Sequence, residues 1–228
     1  MYGLNTFALV GFGCINVLAV RLSRCDARLR SRVLDAACVL LLAFNLVRYA
    51  LYPLTGQGLR IPVEFSTVAY FAVPAIMLTR RRGAMSWAAY SGLMAGFFYY
   101  LAMITAGGPV YDSYPHWEIY ASLCCHGTVY LCGFVVINTE RCESSDWYKL
   151  ALGIVFVAAR AALLRPLAAG QGRLLIYELL DAQPVKWLLP QSSWDAAVPL
   201  YYLILVSLLA VSILIFFRLN RRETARHI

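Results

Sequence analysis

The sequence predicts an all-α polytopic membrane bundle of seven transmembrane helices, and three observations lead there. The first is composition: 61% of the 228 residues are hydrophobic and 14% are charged, with a mean hydropathy of +0.65. A soluble domain is closer to about 45–50% apolar and about 25% charged, because a globule of this size must cover itself with polar groups. The second is spacing. Seven apolar runs approach the roughly 17–25 residues that a span needs. The third is charge. Of the 20 Lys and Arg residues, 14 fall in alternate connectors and the tail, and three fall in the other connectors. A soluble enzyme, a disordered chain and a fibrous protein are excluded.

The spans lie near 4–20, 33–52, 61–79, 84–105, 119–138, 150–169 and 197–217, within a single transmembrane domain, 1–228. They must be helical, since lipid offers no partner to an unpaired backbone group. The first run has no basic residue before it and Arg21 after it, the reverse of a signal peptide, so it reads as a retained span. Arg21, Arg24, Arg28, Arg30 and Arg32 follow the first span, Arg80–Arg82 the third, Arg141 and Lys149 the fifth, and Arg218, Arg221, Arg222 and Arg226 the seventh. That side is cytoplasmic by the positive-inside rule, which puts the N-terminus outside and the C-terminus in the cytoplasm. Of the outer connectors, 106–118 is rich in Gly, Pro and aromatics, as at an interface. Segment 170–196 reads as an interfacial or re-entrant piece, its LLIYELL and KWLL stretches set among prolines. Cys14, Cys38, Cys124, Cys125 and Cys132 sit in apolar runs and read as small buried hydrophobes.

An ionisable group at the centre of a bilayer costs at least about 2.5–3.5 kcal/mol, so each one needs a reason. Glu64 and Ser66 lie roughly 5–8 Å below the outer end of the third span, and His126 roughly 10 Å below the outer end of the fifth. Arg48 and Arg165 stand near the outer ends of the second and sixth spans, with Arg160 nearer mid-span. Four helices thus bring polar groups to one level, enough for a buried polar cavity open outward, to which Thr67 adds a hydroxyl. Each residue also has an ordinary structural use. Long arginines snorkel, a carboxylate serves as an ion-pair partner, and an intramembrane histidine links helices. The aromatics Phe97–Tyr100, Tyr201 and Tyr202 read as an interfacial belt.

Segment 59–83 (LRIPVEFSTVAYFAVPAIMLTRRRG) resembles the Leu-Pro-Leu-His-Leu-Cys-Asp stretch and basic turn of the YwaF-like family, which includes transmembrane protein 164. YPHWEIYASLCCHG resembles the family's Phe-Pro-His … His-Gly segment. YELLDAQP, WDAAVPLYYLIL and, more weakly, LLLAFNLVRYALYPLTG follow the same order, over roughly residues 33–217. The resemblance implies acyl transfer or ester hydrolysis on a lipid. The family's cysteine nucleophile corresponds to Ser66 and its base to His126. Glu64 stands for the motif's histidine and Thr67 for its aspartate, so three motif positions differ.

On that reading Ser66 attacks the acyl carbonyl, His126 takes and returns the proton, and Glu64 orients His126 or pairs with Arg48. Arg48, Thr67, Arg160 and Arg165 bind the lipid, with Arg165 or Arg160 on its phosphate. No metal or nucleotide motif is present, so no cofactor is expected. The partner is a membrane lipid and not nucleic acid. The alternative is a non-enzymatic membrane protein, either a complex subunit with protein partners in the membrane or a binder or transporter of a lipid or small solute, using the same cavity.

Overall fold

The computed structural model describes residues 2–56, 58–111, 116–168 and 207–221, and among these there is no strand. The helices are α1 (Tyr2–Arg24), α2 (Ala27–Leu54), α3 (Phe65–Thr79), α4 (Arg82–Tyr111), α5 (His116–Thr139) and α6 (Trp147–Ala168), with a single 3₁₀ turn, Ser144–Asp146, before α6. Residues 207–221 form a further helix, α7. Four helices, α1, α2, α4 and α5, are long and apolar enough to cross a membrane. The expected segment 170–196 lies outside the described residues, as do the seventh span up to residue 206 and the Arg165 side chain.

The distribution of side chains is compatible with lipid solvation. The centre of the bundle is the α4–α5 pair, with α1, α3 and α6 packed around it and α2 on α3 and α5. Large apolar residues face outward all along the periphery: Leu9, Val10 and Val17 on α1, Leu40 and Val47 on α2, Phe156 and Leu163 on α6, and Leu208 and Leu214 on α7. A water-soluble bundle of this size would turn those stripes inward. Cys14 and Cys124 are exposed on the same outer surface, contrary to expectation, whereas Cys38, Cys125 and Cys132 are buried. The Cys38 and Cys132 sulfurs meet at 3.7 Å between α2 and α5.

Glycine sets the closest approach in the core. Gly92 and Gly96 stand one turn apart on α4, and Gly133 answers them from α5. A Cβ on Gly92 would overlap the Val129 carbonyl oxygen, and one on Gly133 would fall 2.6 Å from the Ala89 oxygen and 2.8 Å from the Leu93 nitrogen. Backbone meets backbone here, the packing that small-xxx-small patterns permit in membranes. Around this seam, polar side chains link neighbouring helices. Asn5 donates to the Ile104 carbonyl at 3.1 Å, Tyr130 to Asn16 at 2.9 Å and Tyr100 to the Leu123 carbonyl at 3.0 Å.

The end of the bundle that carries the basic connectors is tied by short polar links. Asp26 caps α2 through the Arg28 N–H at 2.8 Å, the role a carboxylate takes at a helix N-terminus. Arg80 ends α3 in the left-handed conformation, φ 51°, and its guanidinium holds Asp35 at 2.7 Å and Ser31 at 2.6 Å. Partial burial pushes the Asp146 carboxyl up, but hydrogen bonds from Lys149 at 2.5 Å and Ser86 at 2.7 Å outweigh it and hold the group below its ordinary range. Asn220 of α7 is fully buried. It donates to the Ile137 and Glu140 carbonyls at 2.7 and 2.8 Å and accepts the Cys142 N–H at 2.9 Å, so α7 is fastened to the end of α5.

Two element bounds differ from expectation in ways that matter for the site. The third helix starts at Phe65, not at Ile61. Glu64 is its N-cap residue, with extended backbone (φ −68°, ψ 151°), instead of a group inside the span. Pro62 has no N–H to give a helix, and its carbonyl accepts a hydrogen bond from Arg160 of α6. Arg160 therefore satisfies a backbone group left bare by the interrupted helix, which is how irregular backbone is tolerated where protein covers it. At the other bound, α4 continues to Tyr111 and α5 begins at His116. Residues 106–111 are thus helical, where a loop over 106–118 was expected, and Glu118 becomes a first-turn residue of α5.

Candidate functional site

The polar groups collect at the end of the bundle opposite the basic connectors, between α2, α3, α4 and α5. His126 is their deepest member, 4% exposed. Its Nδ1 lies 2.8 Å from the Ser122 carbonyl, one turn earlier on α5. A carbonyl only accepts, so this contact assigns the hydrogen to Nδ1 and leaves the lone pair on Nε2. The Tyr70 hydroxyl sits 2.5 Å from Nδ1 and 3.1 Å from Nε2, within reach of that lone pair. Tyr99 stacks on the imidazole with ring centroids 3.6 Å apart and planes 8° from parallel, and Tyr70 meets it edge-on at 5.1 Å. Protein groups thus occupy a face and an edge of the imidazole, and its Nδ1.

The cationic part lies beside it. Arg48 is one turn beyond Asn45 on α2, and its guanidinium is 4.0 Å from Glu118 of α5. The same guanidinium lies 5.7 Å from the Tyr52 ring centre and 6.0 Å from that of Trp117. Arg60, in the extended stretch before α3, reaches the same Tyr52 ring at 4.4 Å. One buried tyrosine ring therefore holds two guanidiniums by cation–π attraction. Tyr49 closes the cluster edge-on to Tyr52 at 5.5 Å and to Phe71 at 5.4 Å.

Several polar atoms in this cluster lack a partner. Asn45 is fully buried and donates to the Leu41 carbonyl at 2.9 Å and the Cys125 sulfur at 3.6 Å, but its Oδ1 receives nothing among the described residues. The Nε–H groups of Arg48 and Arg60 are likewise buried and without an acceptor among the described residues. Each such group costs about 1–3 kcal/mol, so three in one neighbourhood mark a site built for something besides packing.

The residues read from sequence fall out as follows. His126 and Arg48 belong to the cluster. Ser66 is the second residue of α3, one turn outward of Tyr70 on the same helix face, and makes no hydrogen bond with His126; Tyr70 supplies the hydroxyl there. Thr67 turns its hydroxyl back to the Glu64 carbonyl at 2.9 Å. Arg48 has an ion-pair partner in Glu118, and Glu64, expected to orient His126 or to pair with Arg48 or Arg165, stands on the extended stretch before the helix and is itself engaged. Arg160 is engaged with the Pro62 carbonyl, and the Arg165 side chain is outside the described residues.

Tyr70, Tyr99, Asn45, Glu118 and Arg60 were not singled out in the sequence. Signals existed for two: Asn45 is an amide in an apolar run three residues before Arg48, and Tyr70 is one helical turn from Ser66. Glu118 was hidden by assigning it to a loop, Arg60 by counting it as a connector charge, and Tyr99 by reading it as interfacial belt.

Comparison of the chain with protein-family models, with curated proteins and with solved structures returned no match.

Proposed function

We propose that the chain is a seven-span integral membrane protein, N-terminus outside and C-terminus cytoplasmic, whose polar chamber beneath the outer leaflet binds a lipid or small polar solute without covalent chemistry. The observation that carries this reading is the pairing of a saturated histidine with unsatisfied neighbours. His126 is held by Tyr70, Tyr99 and the Ser122 carbonyl, while Asn45, Arg48 and Arg60 present an acceptor and two donors with nothing on them among the described residues. Binding groups are open and the would-be base is not. The polar cluster lies at the end remote from the basic connectors, and the 14-to-three division of Lys and Arg supports reading that end as the outer one.

Orientation is tested with single introduced cysteines. A cysteine at position 81 should react with an impermeant maleimide only after the membrane is opened. Labelling in intact cells reverses the orientation.

A second reading, acyl transfer or ester hydrolysis on a lipid, has one observation in its favour: a hydroxyl, that of Tyr70, lies 3.1 Å from His126 Nε2, the nitrogen that carries the lone pair, with Ser66 one turn away. A hydroxyl beside a base can be acylated: the proton passes to the imidazole as the oxygen attacks the ester carbonyl carbon, and the ester C–O bond then breaks as the leaving alcohol takes that proton back. A hydroxyl-reactive lipid phosphonate decides between the two. The binding reading expects the folded protein to stay unlabelled. An adduct on Ser66 or Tyr70 that disappears in His126→Ala establishes the enzyme.

A further inference from the structure

We propose that Arg48 and Arg60, held together on the Tyr52 ring, bind the phosphate of a phosphate ester. The inference rests on the chamber reading above and names the chemistry of its ligand. Arg48 lies 5.7 Å and Arg60 4.4 Å from the Tyr52 centroid, although 12 positions and the whole turn between α2 and α3 separate them in sequence. Two guanidiniums repel one another. Gathering them on one ring is useful where an anion lies between or across them.

The carboxylate already present is a poor match. Glu118 approaches Arg48 only to 4.0 Å, longer than a charge-assisted hydrogen bond of about 2.7–2.9 Å. Glu64, four residues after Arg60, is already engaged in an interaction. Neither removes the main observation, that the Nε–H groups of both arginines are buried without an acceptor among the described residues.

A guanidinium offers five N–H donors in a planar fork, and phosphate oxygens accept two parallel bonds from such a fork. A tetrahedral phosphate has oxygens enough for two arginines at once, whereas a single carboxylate has two. The surroundings suit an ester better than a bare ion. Tyr52, Tyr49 and Trp117 give the site aromatic walls, and the apolar exterior of α2, which carries Arg48, lies alongside. Aromatic side chains with a polar tip belong at headgroup level, where phosphodiesters lie. Arg60 is the residue that sequence reasoning left in a loop, and its placement on Tyr52 turns one intramembrane arginine into a pair.

The source of the phosphate is either a phospholipid headgroup or a soluble phosphate. The full-length protein in neutral detergent is titrated separately with phosphatidic acid, with diacylglycerol of the same chains and with inorganic phosphate, reading thermal stability and, by native mass spectrometry, retained mass. Wild type should be stabilised by a phosphate-bearing probe and not by diacylglycerol. Arg60→Gln should weaken that binding at least tenfold, Arg60→Lys should restore part of it, and Arg81→Gln at the basic end should leave it unchanged.

Stabilisation by phosphatidic acid alone assigns a lipid headgroup; equal stabilisation by inorganic phosphate assigns a soluble source. If diacylglycerol binds as well as phosphatidic acid, and Arg60→Gln changes neither, the phosphate inference falls while the chamber reading stands. If folded wild-type protein binds none of the three, both fall. Arg60 lies outside the helices, so its substitution leaves the helical framework intact, and Arg60→Lys keeps the charge as a second check on folding.

Discussion

Gly92→Ala should cost the bundle about 3 kcal/mol of packing, far above the gain of about 1 kcal/mol in helix propensity. The reason is the identity of the atom in the way. A Cβ at Gly92 would overlap the Val129 carbonyl oxygen, a backbone atom in the middle of α5 that no rotamer change can move. The two helices would have to separate along their whole length, and the van der Waals contact that drives association in lipid would go with them. Gly133→Ala meets the same obstacle from the other side, at the Ala89 oxygen.

Gly13 is the control. It lies in α1 with nothing within 4 Å of where its Cβ would be, so Gly13→Ala should stabilise by about 0.5–1 kcal/mol. Thermal unfolding in detergent with size-exclusion profiles reads all three variants. A Gly92→Ala protein as stable as the Gly13→Ala one would mean the seam is looser than described.

His126→Ala should be the most damaging change in the polar cluster, at about 4 kcal/mol. It opens a cavity under the Tyr99 ring and leaves the Tyr70 hydroxyl buried with nothing to bond. The two contributions separate. His126→Phe keeps an aromatic ring against Tyr99 and removes only the hydrogen bonds, so it should cost about 2 kcal/mol. Tyr70→Phe removes the other half of the same bond and should cost about 1 kcal/mol alone. In the double variant the missing bond is counted once, so the combined loss should be smaller than the total of the single losses. Strict additivity would show that the hydroxyl and the imidazole do not interact.

Much of the architecture was legible because lipid imposes it. Long apolar runs had to be helices, and α1, α2, α4 and α5 cover the corresponding spans. The third helix was drawn four residues too early. Pro62 was taken as a helix-starting proline, a role its fixed φ suits, and nothing local says that the chain stays extended until Glu64. What holds it there is Arg160, which is 98 residues away and visible only in three dimensions. The site was half legible for a similar reason. Depth along a helix follows from counting residues, and this placed His126 and Arg48 at one level. Azimuth does not follow from counting. It turned Tyr70 of α3 and Tyr99 of α4 toward the imidazole, whereas Ser66, on the same face of α3 as Tyr70, stands one turn outward in the first turn of a helix that begins at Phe65. Attention to ionisable residues alone passed over Asn45 and the tyrosines, which complete the cluster.

The α4–α5 seam also bears on the order in which the protein is made. Helices leave the ribosome N-terminus first, yet α1 packs against α4 and α5, and α2 depends on α3 and α5. At about 5–20 residues per second, α1 waits on the order of 10 s before Thr139 has been added and α5 is complete. Until α4 is made Asn5 lacks its Ile104 acceptor, and until α5 is made Asn16 lacks its Tyr130 donor and keeps only the bond to Phe12 within its own helix. The nascent chain is therefore a natural client for whatever in the membrane shelters polar side chains. A truncation that ends before α5 should remain in that sheltered state, because the element that would release it has not been synthesised.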